Sequence, residues 1–262
     1  MKDIILKHQA VEYGICDAAS FPESKERLFK LCANARRIIV CLFPYYCDSN
    51  DGNISKYARG LDYHIVLKDR LSSICVELGS KYQGSRFMPF FDSSVLSEVK
   101  AARLSGVAMT GKNHLAINEK YGSFIFLGCI VTDYPFDVSP SLSACKECNL
   151  CINACPTGAL STGDFSRCLS HITQKKGEFS PDEQIAVKNA QYSWGCDICQ
   201  DVCPYNKSIP VTDIFEFKNN LVYYLKYNDV ENDDYFKSNF SDRAFSWRGN
   251  RVLMRNLKLK ED

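Results

Sequence analysis

The chain has 262 residues, with 45% hydrophobic and 24% charged side chains and a formal net charge of +1, values that suit a globular protein with a sizeable core. Such a balance excludes a general polyanion binder and leaves contact with nucleic acid or a membrane surface to local patches. No apolar run approaches the roughly eighteen residues of a membrane span, and Lys2, Asp3, Lys7 and Glu12 interrupt any signal core, so a cytoplasmic protein with no membrane partner is expected.

Residues 1–35 set Leu6, Val11, Leu28 and Leu31 among charges, which predicts short helices around a turn at Phe21-Pro22. The run Arg37-Ile38-Ile39-Val40-Cys41-Leu42-Phe43 reads as a fully buried strand stopped by Pro44. Leu67, Leu71, Ile74, Cys75 and Leu78 then recur at helical spacing, and Gly79 or Gly84 can end that helix. A short strand over 86–91, a helix over about 95–104 and a buried strand over 124–131 follow. Strands alternating with helices predict an α/β domain over 1–140 whose sheet is covered on its faces, within a chain of α+β or α/β class. Pro140 and three serines within 137–143 mark a linker.

Two stretches of this domain could carry chemistry. In Phe90-Phe91-Asp92-Ser93-Ser94 a carboxylate meets a strand–helix junction beside two phenylalanines. Desolvation there can raise its pKa and make it a proton donor, while an Asp at a helix start can equally be an N-cap. The loop 106–114, with Gly106, Gly111, Lys112, Asn113 and His114, suits a backbone approach to a ligand, although its glycines are not spaced as in a Walker motif.

Fourteen cysteines are many for a cytosolic chain. Cys16, Cys32, Cys41, Cys47, Cys75 and Cys129 are scattered, mostly among apolar neighbours, and read as buried thiols packing as small hydrophobes. The other eight lie within 145–204. Cys145-x2-Cys148-x2-Cys151-x3-Cys155-Pro156 fits the ferredoxin run in which three close cysteines hold one 4Fe–4S cluster and the fourth crosses to another. The second half, Cys196-x2-Cys199-x3-Cys203-Pro204, has Ser193 where a leading cysteine belongs, and Cys168 is the nearest thiol to fill the vacancy. The expected ligand sets are therefore Cys145, Cys148, Cys151 and Cys203 for one cluster, and Cys155, Cys168, Cys196 and Cys199 for the other. Disulfides are rare in the cytosol, and the repeated x3-Cys-Pro ending is not zinc spacing. This stretch forms the second domain, 141–210, with short helices after Cys148 and over 166–174.

An extension, 211–262, ends the chain. Asp229, Glu231, Asp233, Asp234 and Asp242 give way to Arg243, Arg248, Arg251, Arg255, Lys258 and Lys260. The basic run can contact phosphates, or it can be a solvated helix face.

The arrangement resembles the epoxyqueuosine reductase family of cobalamin-dependent iron–sulfur enzymes that modify tRNA. The likeness covers about 35–208. It is carried by Asp92-Ser93 with Gly106 and Gly111-Lys112, by Tyr121-Gly122-Ser123-Phe124 with Phe126-Leu127-Gly128, by Cys155-Pro156-Thr157-Gly158-Ala159 and Arg167-Cys168-Leu169-Ser170, and by Trp194-Gly195-Cys196-Asp197-Ile198-Cys199-Gln200-Asp201-Val202-Cys203-Pro204. The family loop G-L-G-W-x-G-K is altered here by Ala108 and Met109, and the chain is similar to short members without the C-terminal helical-repeat domain. The resemblance implies a cobalamin-binding-like first domain, a ferredoxin-like second domain, and a cobalamin bordered by the 106–114 loop. It also implies clusters fed by an external one-electron donor, Cys168 as a ligand, and Asp92 as proton donor in deoxygenating epoxyqueuosine in tRNA. A monomer with weak tRNA contacts through the basic tail is expected. Two alternatives are a ferredoxin-type electron carrier without a substrate and a cobalamin-dependent reductase, dehalogenase-like, for another substrate.

Overall fold

The computed structural model describes residues 1–93, 95–146 and 148–261. Helix α1 (Lys2–Lys7) leads into strand β1 (Glu12–Asp17), helix α2 (Lys25–Leu31) and strand β2 (Arg37–Pro44). Helix α3 (Tyr63–Lys81), strand β3 (Phe87–Phe90), helix α4 (Glu98–Leu104), the short strands β4 (Met109–Thr110) and β5 (Ala116–Ile117), and strand β6 (Ile125–Thr132) complete the first half. The main sheet has four strands in the order β1-β2-β6-β3, each pair antiparallel.

The apolar run in β2 follows from its central place. Successive side chains alternate between faces, and both faces are covered. Ile39, Cys41 and Phe43 pack with Leu67, Leu71, Ile74 and Leu78 of α3. Ile38, Val40 and Leu42 pack with Leu28 of α2 and with Ala101 and Ala102 of α4. Each large aliphatic side chain buried this way contributes about 1.5–3 kcal/mol, which fixes the sheet as the scaffold for whatever its loops carry.

Three local expectations change. Residues 12–17 form a strand rather than part of a helical segment. Only Gly14, Ile15 and Cys16 of β1 are buried, too short a stretch to show alternation, and its pairing with β2 decides the conformation. Helix α4 starts at Glu98, later than expected, because the Ser97 side chain accepts the Lys100 N–H as its N-cap. The segment 137–143 is no loose linker: Ser139 N–H donates to Ile15 O at 2.8 Å and Leu142 N–H to Arg103 O at 3.0 Å, so it is laid along β1 and the end of α4.

The second half is built of short helices: α5 (Leu150–Ala154), α6 (Ala159–Thr162), α7 (Leu169–Gln174), α8 (Pro181–Asn189) and α9 (Ile198–Asp201). The extension adds α10 (Phe215–Lys218), α11 (Tyr227–Glu231), α12 (Asp233–Phe240) and α13 (Asn250–Glu261). The extension is part of the fold, since Leu225, Val230, Phe236, Phe245 and Leu253 share a core with Ile54 and Trp194. Among the described residues, no helix is long and apolar enough to cross a membrane.

Candidate active site and cluster ligands

Asp92 follows β3 in a left-handed turn, with φ at +40°. Its side chain is 58% exposed, and it caps no helix, since Ser97 does that for α4. Its carboxylate meets the start of α3 instead. Oδ2 accepts from the Tyr63 hydroxyl and lies 3.1 Å from His64 Nε2, while His64 Nδ1 lies 2.8 Å from Asp62 Oδ1. The expectation that desolvation would raise Asp92 is overturned. The hydrogen bond from His64 outweighs burial and, with that from Tyr63, holds the Asp92 carboxyl below its usual range. Hydrogen bonds to Asp62 and Asp92 lift His64 to about 9, so at neutral pH the proton resides on the imidazole. Close by, burial pushes Glu98 up to about 7. Ser94, the last residue of the stretch singled out in the sequence, lies outside the described residues.

The sequence did not single out Asp62, Tyr63 and His64. Asp62 accepts the His64 N–H as the N-cap of α3, so in sequence the trio reads as an ordinary helix start. The one available signal was the aromatic and imidazole pair next to that cap. Tyr63 is fixed by stacking on Phe126 of β6, with centroids 4.4 Å apart.

The eight cysteines stand around two cavities. Cys145, Cys148, Cys151 and Cys203 line one. Cys155, Cys168, Cys196 and Cys199 line the other, of about 340 Å³, together with Tyr45, Ser55, Tyr57 and Leu115 from the first half of the chain. Asn113 borders both. Its side-chain NH2 is buried without a hydrogen-bond partner among the described residues, an arrangement that costs about 1–3 kcal/mol if left unmade. A cluster sulfide or ligating thiolate in either cavity would accept that N–H. The Lys112 backbone N–H already donates to Cys145 Sγ at 3.3 Å. These donors fit a sulfur-rich group, since hydrogen bonds to sulfur help set cluster potentials. All fourteen cysteines are free thiols. Of the six scattered ones, five are buried and Cys47 is half-buried.

The loop 106–114 therefore faces the cysteines more than Asp92. Lys112 Nζ donates to Asn149 Oδ1 at 2.8 Å, and the His114 ring meets Phe165 edge-on at 4.6 Å. The two glycines expected to border cobalamin have filled sides. A Cβ on Gly106 would stand 2.2 Å from Pro140 O, and one on Gly111 would stand 2.3 Å from Asn113 Oδ1. Close protein packing explains why both positions are glycine.

Two contacts connect the second cavity to the first half of the chain, one of them through Tyr63 to Asp92. Asp197, between Cys196 and Cys199 in sequence, is fully buried. It accepts from Ser55 Oγ at 2.6 Å and from Lys56 N–H at 2.7 Å. Tyr57, on the cavity wall, accepts from Trp194 Nε1 at 2.8 Å and meets the Tyr63 ring at 6.3 Å.

The basic tail divides. Arg243 is buried beside Asp242, at 3.2 Å. Arg255 donates to Gly177 O and lies 3.6 Å over the Phe179 ring, Lys260 donates to Ala190 O, and Arg248 stacks on Trp247. Arg251 and Lys258 are exposed. Arg255 and Lys260 thus serve the fold, because α13 packs against α7 and α8 and its Asn256 donates to Thr173 O and Ser193 O.

Two family models match: "4Fe-4S double cluster binding domain" over 144–206 and "Epoxyqueuosine reductase QueG, DUF1730" over 26–93. An epoxyqueuosine reductase of Listeria monocytogenes is 32% identical over 98% of this chain and 72% of its own length. One of Staphylococcus aureus is 33% identical over 78% of the chain and 55% of its own length, so part of each relative lies beyond the match. An epoxyqueuosine reductase solved with an epoxyqueuosine-modified tRNA-Tyr stem loop superposes with a TM-score of 0.86 at 25% identity, covering 99% of this chain and 80% of that one.

Proposed function

The chain belongs to the epoxyqueuosine reductase family of oxidoreductases, and from that premise we propose that it removes the epoxide oxygen of epoxyqueuosine in tRNA to give queuosine. Taking the oxygen away as water needs two electrons and two protons. Iron–sulfur clusters change state one electron at a time, so two clusters held by Cys145, Cys148, Cys151 and Cys203 and by Cys155, Cys168, Cys196 and Cys199 suit the demand, fed by an external one-electron donor. Cobalamin, which the family resemblance implies along the 106–114 loop, would supply one-electron cobalt chemistry when bound; no step here is routed through it.

The observation that carries the reading is the Asp62–His64–Asp92 array with Tyr63 beside it. An alkoxide leaves poorly unless protonated. Asp92 is the exposed end of the array, and His64, charged at neutral pH, is its proton reservoir. Asp92 passes a proton from His64 Nε2 to the departing oxygen, while Asp62 keeps the ring oriented and the Tyr63 hydroxyl donates to the same Asp92 oxygen, Oδ2. Burial and the Asp92 charge hold the Tyr63 phenol well above its ordinary pKa, so it remains a donor. The carrier alternative gives no use to this array, since an electron carrier needs no proton at an exposed carboxylate.

Mass spectrometry of tRNA nucleosides from a deletion strain tests the function. Accumulated epoxyqueuosine with lost queuosine is the expected result, and unchanged queuosine in a strain with no second such enzyme would refute it.

A further inference from the structure

Asp92 is tied from above by His64 and Tyr63, and its backbone adopts a left-handed conformation, φ +40°, which a residue with a Cβ keeps only where its surroundings enforce it. Glu98 lies beneath this turn. Its Oε1 accepts the Ser93 N–H at 3.4 Å. Glu98 is the first residue of α4 but not its cap, because Ser97 performs that task; the carboxylate is therefore free to serve the turn. The groups that face it are Asp92 and His64 on the turn side and the buried Cys129 thiol on β6. Of these groups His64 is the one cation, and its charge favours the Glu98 carboxylate. The Ser93 N–H and the His64 charge offset the repulsion from Asp92.

We propose that Glu98 is a positioning residue, a clasp whose carboxylate holds the Asp92-Ser93 backbone so that the Asp92 side chain stays on the face shared with His64 and Tyr63. The clasp is a statement about the turn. Its bearing on turnover rests on the reading of Asp92 given above, and the two are separable by experiment.

The test is hydrogen exchange of the peptide spanning 91–97 in the iron-loaded protein, alongside the kcat of the same samples. Losing the hydrogen bond to Glu98 in Glu98→Ala, read above pH 7 where its carboxyl is ionised, should speed exchange there about tenfold, with other segments unchanged. Glu98→Gln, whose side-chain oxygen still accepts, should restore most of the protection. If Glu98→Ala does not fold, Glu98→Asp, one methylene too short, should give the same local loss. Exchange within twofold of wild type in the folded short variant would overturn the clasp. A local loss accompanied by a fall in kcat at constant affinity for the stem loop supports both readings. Local loss with kcat intact keeps the clasp and removes Asp92 from the mechanism.

Discussion

His64 Nε2 lies 3.1 Å from Asp92 Oδ2, and the other nitrogen of the same ring faces Asp62. A neutral imidazole has one N–H and can donate to only one carboxylate, whereas the imidazolium satisfies both. The ring's pKa is raised from the ordinary 6.5 to about 9. The proton is therefore retained through neutrality and lost as pH rises through about 9. Any stability it adds is fully present below 6.5 and disappears over the same rise. Turnover should decline above pH 9 in the wild type. In His64→Gln that alkaline limb should vanish and kcat should fall about ten- to hundredfold, read from the pH–rate profile on a modified stem loop. An unchanged limb would assign it to another group.

Cys168 stands with Cys155, Cys196 and Cys199 around one cavity. Cys168→Ser should leave the cluster at Cys145, Cys148, Cys151 and Cys203 in place and lose the other. Bound iron would then drop from about eight to about four atoms per chain, with one electron paramagnetic signal remaining after reduction. A full iron complement in the variant would show that Cys168 is not a ligand.

Asp197 has no contact with solvent and holds Ser55 and Lys56. Asp197→Ala leaves that hydroxyl and that amide unpaired, each costing about 1–3 kcal/mol. The thermal midpoint of the iron-loaded protein should fall by about 5–10 °C. Asp197→Asn keeps an acceptor and should lose less. Equal midpoints for wild type and Asp197→Ala would mean that the two halves of the chain are held together elsewhere.

Arg251 and Lys258 are the exposed cations of α13, whereas Arg255 is engaged with Gly177 and Phe179. Reversing the first two charges, Arg251→Glu with Lys258→Glu, should weaken binding of a tRNA stem loop and flatten its salt dependence by about two ions released. Arg255→Ala should lower the melting temperature and leave the salt slope alone. A titration in which Arg255→Ala alters the slope as much as the double reversal would return Arg255 to the phosphate-contact set.

The strands with continuous apolar runs were legible in sequence because burial on both faces leaves no room for polar residues: β2 and β6 fall where their composition puts them. β1 was not, since an edge strand with three buried positions takes its conformation from its partner. The grouping of eight cysteines followed from spacing, as each Cys-Pro step fixes where the chain turns. The setting of Asp92 was hidden for a different reason. Its partners lie some thirty positions earlier, on α3, and in sequence Asp62 and His64 read as a helix start; only the antiparallel sheet brings that helix end to the tip of β3. The basic tail shows the converse. Six cations in one run read as a phosphate-contacting stretch or a solvated helix face, and packing commits Arg255 and Lys260 of α13, with the buried Arg243, to the fold.

The central claim is that Asp92 delivers a proton to an epoxide oxygen during reduction. It is tested most directly by incubating protein loaded with both clusters and cobalamin with an epoxyqueuosine-modified stem loop under an anaerobic one-electron reductant, and following the nucleosides by mass spectrometry. Wild type should convert epoxyqueuosine to queuosine, and Asp92→Asn, with iron content and stem-loop affinity retained, should be slower by about 10²–10⁴-fold. Conversion by Asp92→Asn at the wild-type rate would contradict the account.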